Sequence, residues 1–339
     1  MRKHLNKERL LNLIAKFKKA KPLVIGDIIL DHYIWGRAER LSPEAPVPVV
    51  WANRENYLLG GAGNVAYNLS SLGAKASLAG VIGKDFYGSQ LLTLLRKEKI
   101  KSESVFVSKD RPTTLKSRVI AQHQQVVRID WESPEEISLN VSRKIINFVK
   151  KNIDNFSSII IEDYAKGVIN PYLLGEIVSL AKKKKKIITV DPKEEHFDYY
   201  QEVTALTPNL KEAQYGANFK VKKKEDLNLL GNILREKLNP EALLITLGEE
   251  GMRIFLREGG VFHFPTYALE VFDVSGAGDT VIAVFTLALS VGASFLEAGF
   301  LANLSAGIVV GKLGVAGVFA SELIQRLNSF PKANIQKIA

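Results

Sequence analysis

The sequence predicts an α/β fold, a mostly parallel sheet with helices on both faces and a few extra strands outside it. Three observations carry this. Short apolar runs alternate with longer helical stretches along most of the 339 residues, the order that parallel strand–helix–strand units produce. Apolar residues make up 46% of the chain, enough for a sizeable core. Two segments, Val47–Trp51 after a proline-rich stretch and Thr113–Asp130, have strand composition outside that alternation.

Taken in order, residues 1–20 interleave lysines with Leu10, Leu11, Ile14 and Phe17, the spacing of an amphipathic helix and not of a secretory signal. Leu23–Ile29, with Asp27 and Asp31 at its end, reads as a buried strand. Gly60–Leu72 reads as a glycine turn opening a helix. Ala76–Ile82 is strand-like and Phe86–Leu95 helical. Ile137–Val149 follows as a helix, then Ser157–Ile161 as a strand, Pro171–Ala181 as a helix and Ile187–Val190 as a strand. Ala242–Leu247 is a further buried strand ending in the turn Gly248–Gly251. Val281–Leu296 is uncharged but short, holds Thr, Ser and Gly, and is bounded by Asp279 and Glu297; it reads as a buried helix and not a membrane span. No internal repeat, low-complexity tract or long linker divides the chain, so one domain over 1–339 is expected.

Composition excludes some chemistries. There is no cysteine, hence no disulfide framework or thiolate metal site, and five scattered histidines make a poor zinc site. The absence of cysteine fits a cytoplasmic protein. The net charge of +10 needs a patch or motif before it implies nucleic acid. The densest run, Lys182–Lys186, follows a helix and reads as a solvated C-terminus favoured by the helix dipole. Neither nucleic acid nor membrane is expected as a partner.

The stretch DVSGAGDT, 273–280, carries the chemistry. A helix N-terminus presents unpaired N–H groups and partial positive charge, and glycines let that backbone approach an anion. Gly276, Ala277 and Gly278 therefore read as a cradle for a phosphoryl group. Asp279 has two readings, a helix-starting acid or a general base for a hydroxyl attacking that group. No GxxxxGK[ST] motif exists, and no strand leads into a GxGxxG.

Eight stretches together resemble the ribokinase-like (PfkB) sugar kinases over roughly residues 20–320. They are VIGDIILDHYIWG (24–36), RLSPEAPVPVV (40–50), GGAGNVAYNL (60–69), QHQQVVRID (122–130), EDYAKGV (162–168), VDPK (190–193), TPNLKE (207–212) and DVSGAGDT. The resemblance implies a three-layer αβα fold with a mostly parallel central sheet and a small β-sheet lid, with lid strands at about 33–57 and 105–130. RLSPEAPVPVV and QHQQVVRID look like the branch acting on D-glycero-β-D-manno-heptose 7-phosphate, whose anomeric hydroxyl is phosphorylated by ATP towards ADP-heptose and lipopolysaccharide core. Kinases for fructose, ribose or a phosphorylated ketose are the same-chemistry alternative, and a non-catalytic sugar sensor is the different-class one.

By the same resemblance, Asp279 is the base, and the amides of Gly276, Ala277 and Gly278 form the anion hole. Asn209 and Glu212 of the NxxE motif, with Leu210 and Lys211 between them, lie beside the ATP phosphates and support Mg2+ through water. The motif is equally a helix capping box, and both roles are compatible. Asp31, Asp27, Gly60, Gly61 and Asn64 are implied for the sugar site. Arg40, Lys116, Arg118, Arg128 and Lys166 are cations for the sugar phosphate, from which the sequence singles out none. Asp163 stands beside the phosphate path, and Glu162 occupies a position where the family commonly has Ser. Lys193, Thr246, Gly248 and Asn303 are implied on the ATP side. Asp273, Ser275 and the loop 309–318 would supply carbonyls to a potassium ion. No HxGH-type motif occurs, so the nucleotidyltransferase to which some relatives are fused is not expected in these residues. A homodimer through the lid strands is expected, because their edges need covering.

Overall fold

The computed structural model describes residues 2–122, 124–268, 270–312, 314–329 and 334–338. His123 of QHQQVVRID and position 313 of the 309–318 loop lie outside the described residues.

Among the described residues, eleven strands form the large sheet. Seven of them run parallel, in the order Ala242–Thr246, Ala205–Leu206, Ile187–Asp191, Ser158–Glu162, Pro22–Gly26, Ser77–Gly83 and Lys101–Ser108. Four antiparallel strands extend the Ala242–Thr246 edge. Period-two alternation sends side chains to both faces. Val24, Ile160 and Leu244 enter one apolar cluster, with Val65, Leu91, Phe285 and Leu301 of the covering helices. Leu23, Ile25, Ile159, Ile161, Leu243 and Ile245 enter the other, with Ile145, Leu173 and Leu230. Two helical layers thus sandwich the sheet.

A second sheet has four strands, ordered Pro48–Gly61, Ile28–Leu41, Thr114–Ala121 and Gln124–Trp131. The segment expected as one strand, Leu23–Ile29, is divided at Asp27. Pro22–Gly26 belongs to the large sheet, and the chain re-enters as Ile28–Leu41 in the small one. Residues 101–108 add to the edge of the large sheet, so the small sheet takes Thr114–Ala121 and Gln124–Trp131 but not 105–108.

The apolar stretch read as one helix, Val281–Leu296, is two. Ala277–Ser290 ends before Gly292, whose φ of +94° no β-carbon favours. Phe295–Val309 then starts with a capping box between Ser294 and Glu297. Among the described residues, no helix is long and apolar enough to cross a membrane. The lysine run closes the helix Pro171–Lys183: Lys182 pairs with Glu202, and Lys184 with Asp154.

Candidate active site

Parallel strands deliver their C-terminal ends to one edge of the sheet, where doubly wound folds bind ligands. Gly26, Glu162 and Asp191 are the last residues of three neighbouring strands and are in register. A β-carbon on Gly26 would sit 2.0 Å from the Glu162 carbonyl oxygen, so the first strand must end in glycine here.

Above this edge stands the helix Ala277–Ser290, with Gly276 as its N-cap at φ +76°. A β-carbon there would lie 2.6 Å from Asn64 Nδ2, a second reason for glycine. Asp279, third in the helix, is buried. Asn64 Nδ2 donates to its Oδ2 at 2.6 Å, and the Tyr164 hydroxyl donates to Oδ1 at 2.9 Å. Burial pushes the Asp279 carboxyl up to about 6, with these two donors pulling against the rise. A carboxylate so tuned is ionised at neutral pH yet basic enough to take a proton. Asn68 braces the pair: its amide donates to the Asn64 carbonyl, and its Oδ1 accepts from Thr280 Oγ1 and the Val318 amide. Of the three cradle amides, Ala277 N–H is turned onto the Val274 carbonyl at 3.2 Å. Gly276 and Gly278 remain as the open donors among the described residues.

On one side of this helix start is an apolar cavity of about 480 Å³. Thr246, Gly248, Val274, Gly278 and Asn303 are among its walls. Asn303 is fixed by donating to the Pro265 carbonyl. Ligand pockets of drug-sized molecules have this volume and lining.

On the other side lies a charged face of the small sheet. Pairing puts Asp31 beside Lys116 and Tyr33 beside Arg118, and sets Asp130 and Arg128 opposite the two cations. Arg118 makes an ion pair with Asp31 and stacks its guanidinium over Tyr33, 5.2 Å from the ring centre. Gly60 leaves room for Asp31 as it stands, since a β-carbon would meet its Oδ2 at 2.2 Å. Lys116 Nζ lies 5.6 Å over the Tyr164 ring. Among the described residues it has no ion-pair partner. Burial, with Lys166 nearby, lowers its pKa.

Several expected site residues have other work. Asp27 accepts three backbone amides of one loop, from Tyr164, Lys166 and Val168, with both oxygens engaged. Burial and the neighbouring Asp163 raise its carboxyl to about 6. It holds the loop that carries Tyr164. Asp163 is likewise committed, to the Ala165 amide, His196 Nδ1 and the Tyr200 hydroxyl. Lys166 pairs with Glu132, and Arg128 with Asp130. Arg40 sits nine residues beyond Asp31 at the exposed end of its strand, roughly 30 Å away, and is not brought to the site within this chain. Lys211 is exposed and pairs with Glu194, while Leu210 packs on the apolar cluster beneath. Asn209 and Glu212 form the reciprocal capping box, Asn209 Oδ1 accepting from Glu212 N and Glu212 Oε2 from Asn209 N. The Lys193 amide donates to Tyr200. Asp273 accepts from Ser275 N and Gly314 N, tying the two glycine-bearing loops together. Gly61, at φ +52°, lies against the Asp27 carbonyl and ends the returning strand.

Sequence reasoning missed Tyr164 as a partner of Asp279, and gave no role to Glu162 or Asp191. The available signal was an acid closing an apolar strand, the same one that pointed to Asp31. One oxygen from each of Glu162, Asp191 and Asp279 falls within 4.8 Å of the others.

Comparison with known proteins adds three findings. Residues 19–320 match the model of the pfkB family carbohydrate kinases. The bifunctional protein HldE of Geobacter metallireducens is 45% identical over 313 residues, covering 92% of this chain and 64% of that protein. The bifunctional protein HldE of Geobacter sulfurreducens is 45% identical over 316 residues, covering 93% and 64%. The chain thus spans less than two thirds of the length of these relatives. Among solved structures, Escherichia coli phosphofructokinase-2 in complex with substrates and products superposes with a TM-score of 0.77, at 17% identity over 91% of this chain and 99% of that one. Arabidopsis thaliana ribokinase complexed with ribose and ATP gives 0.72, at 19% identity over 91% and 98%. At such identities the structures establish the shared α/β architecture with its separate small sheet.

Proposed function

The chain belongs to the pfkB family of carbohydrate kinases, and from that premise we propose that it transfers the γ-phosphoryl group of ATP to the anomeric hydroxyl of D-glycero-β-D-manno-heptose 7-phosphate. The product is the 1,7-bisphosphate, an intermediate towards ADP-heptose. One observation carries the reading: Asp279 sits at the open, glycine-lined start of its helix, between an apolar cavity and a cationic sheet face. ATP occupies the cavity, its γ-phosphate against the Gly276 and Gly278 amides. The sugar lies under the small sheet, hydroxyls on Asp31 and 7-phosphate towards Lys116 and Arg118. Arginine's fork suits phosphate, and Lys116 is a cation with no ion-pair partner among the described residues.

The reaction then balances simply. The Asp279 carboxylate takes the proton of the anomeric hydroxyl, the freed oxygen attacks the γ-phosphorus, and ADP leaves on the far side. Asn64 and Tyr164 hold the carboxylate for in-line approach, where positioning and charge stabilisation dominate phosphoryl transfer. Mg2+ accompanying ATP supplies charge neutralisation on the phosphates, and the all-oxygen donors at the strand ends fit such a hard ion. Asn209 and Glu212 stand at the edge of that region, Glu212 with one oxygen outside its cap. A potassium ion near Asp273 and Ser275, a homodimer through the small sheet and a cytoplasmic location belong to the same reading.

The test is ADP release over a panel of heptose 7-phosphate, fructose 6-phosphate and ribose, for wild type and Asp279→Asn. Strong preference for the heptose phosphate is expected, together with a loss of about three orders of magnitude or more in kcat for the variant while ATP still binds. Preference for another sugar would overturn the substrate and keep the chemistry. An active Asp279→Asn protein would reduce Asp279 to a helix-starting acid.

A further inference from the structure

Glu162 is a buried carboxyl to which the proposed reaction gives no role. It ends a strand whose five residues are all buried, and is itself 0% exposed. Neither of its oxygens accepts a hydrogen bond among the described residues; only when protonated does Glu162 have a partner, donating to Asp191. A buried carboxylate without donors is costly, several kcal/mol by general experience, unless a cation or a proton accompanies it.

Its neighbours deepen the problem. Parallel register sets Asp191 directly beside it. Asp191 gives one oxygen to the Thr207 hydroxyl, and both Asp279 oxygens already accept hydrogen bonds. Three cations of this region are engaged elsewhere, Lys166 with Glu132, Lys211 with Glu194 and Arg118 with Asp31, and Lys116 lies over the Tyr164 ring. The buried carboxylates raise one another's proton affinity, as burial and like charge require.

The geometry suits a single hard ion. Oxygens around Mg2+ stand at about 2.1 Å, so opposite ligands are about 4.2 Å apart, and around larger divalent ions nearly 5 Å. The Glu162, Asp191 and Asp279 oxygens, all within 4.8 Å of one another, close on such an ion with at most a small inward movement. The donors are all oxygen, which selects Mg2+ or Mn2+ over ions preferring sulfur or imidazole. We propose that this chain carries a divalent-cation site of its own, held directly by Glu162 and Asp191 at the ends of adjacent strands and bordering Asp279, which loads without nucleotide. It differs from the placement expected at Asn209 and Glu212, whose mutual cap already uses oxygens of both side chains.

The experiment is a Mn2+ titration of the 339-residue chain, read by the electron paramagnetic resonance of free Mn2+, with neither ATP nor sugar present. One Mn2+ per chain is expected, displaced by Mg2+. Glu162→Gln keeps the shape and removes the charge; it should weaken binding about tenfold or more. It should also melt higher than wild type in chelator and gain less from added Mn2+. Asp191→Asn serves as the second variant should Glu162→Gln fold poorly. No bound Mn2+ at millimolar concentration, or a Glu162→Gln titration identical to wild type, would overturn the proposal. Because no substrate is present, failure of the sugar panel and failure of this titration are separate results.

Discussion

The two halves of the cleft are built in opposite ways. The half proposed for the nucleotide is an apolar hollow whose few polar groups, such as Asn303, are fixed by backbone. The half under the small sheet is dense with charge, and most of that charge is already paired within the protein. A ligand entering the first displaces water. A ligand entering the second must exchange ion pairs, trading its own oxygens for those of Asp31, Glu132 or Asp130. Affinity on the nucleotide side therefore rests on shape, and selectivity on the sugar side on how well a ligand replaces the pairs it breaks.

Four substitutions probe that contrast, in falling order of effect. Arg118→Met removes the cation shared by Asp31 and the proposed sugar phosphate; KM for the sugar should rise by about a hundredfold with KM for ATP unchanged. Equal rises in both constants would show the halves to be one unit.

The seam between the halves is tested by two glycines. A β-carbon on Gly278 meets nothing closer than Asp191 Oδ2 at 3.8 Å, so Gly278→Ala should melt like wild type. Its methyl group intrudes on the cradle, and kcat should fall between about ten- and a hundredfold. Gly276→Ala, clashing with Asn64 at positive φ, should instead lose stability, by about 1–2 kcal/mol in denaturant melts. The reverse pattern would remove the cradle from the mechanism.

The smallest effect concerns pH. The Asp279 carboxyl is raised to about 6, so the base is ionised above that value, and kcat/KM should fall as pH drops through it. Tyr164→Phe deletes a donor that favours the ionised form. The acid limb should move above 6, with kcat near neutral pH down by about tenfold or less. A limb that stays in place would assign Tyr164 to packing alone.

Legibility in the sequence followed locality. The parallel alternation, the glycine-rich helix start and the capping box at Asn209 are written in adjacent residues, and each stands where periodicity and spacing put it. What depends on strand register was not legible. Glu162 and Asp191 meet because two strands end level, and neither segment records the other. Tyr164 reaches Asp279 only because the loop after one strand folds under the helix of another. Asp27 and Asp31 look alike in sequence, as acids at the end of the first strand. One turns back to hold a loop and the other faces the cleft. The division of Leu23–Ile29 at Asp27 and the break at Gly292 were masked by the uniform apolarity on either side of each.

Asp27 also has a mechanical consequence. It is the single residue between a strand of one sheet and a strand of the other, and its carbonyl accepts from Ala62 where the returning strand ends. The 14-residue strand Ile28–Leu41 is therefore a lever about 45 Å long with its fulcrum at Asp27. A tilt of about 10° would sweep its far end through about 8 Å but carry Asp31 through only about 2 Å. Large excursions at the rim become fine adjustments beside the reacting atoms. The fulcrum's own carboxylate grips the Tyr164 loop, so such a tilt would also be felt at the hydroxyl that steadies Asp279.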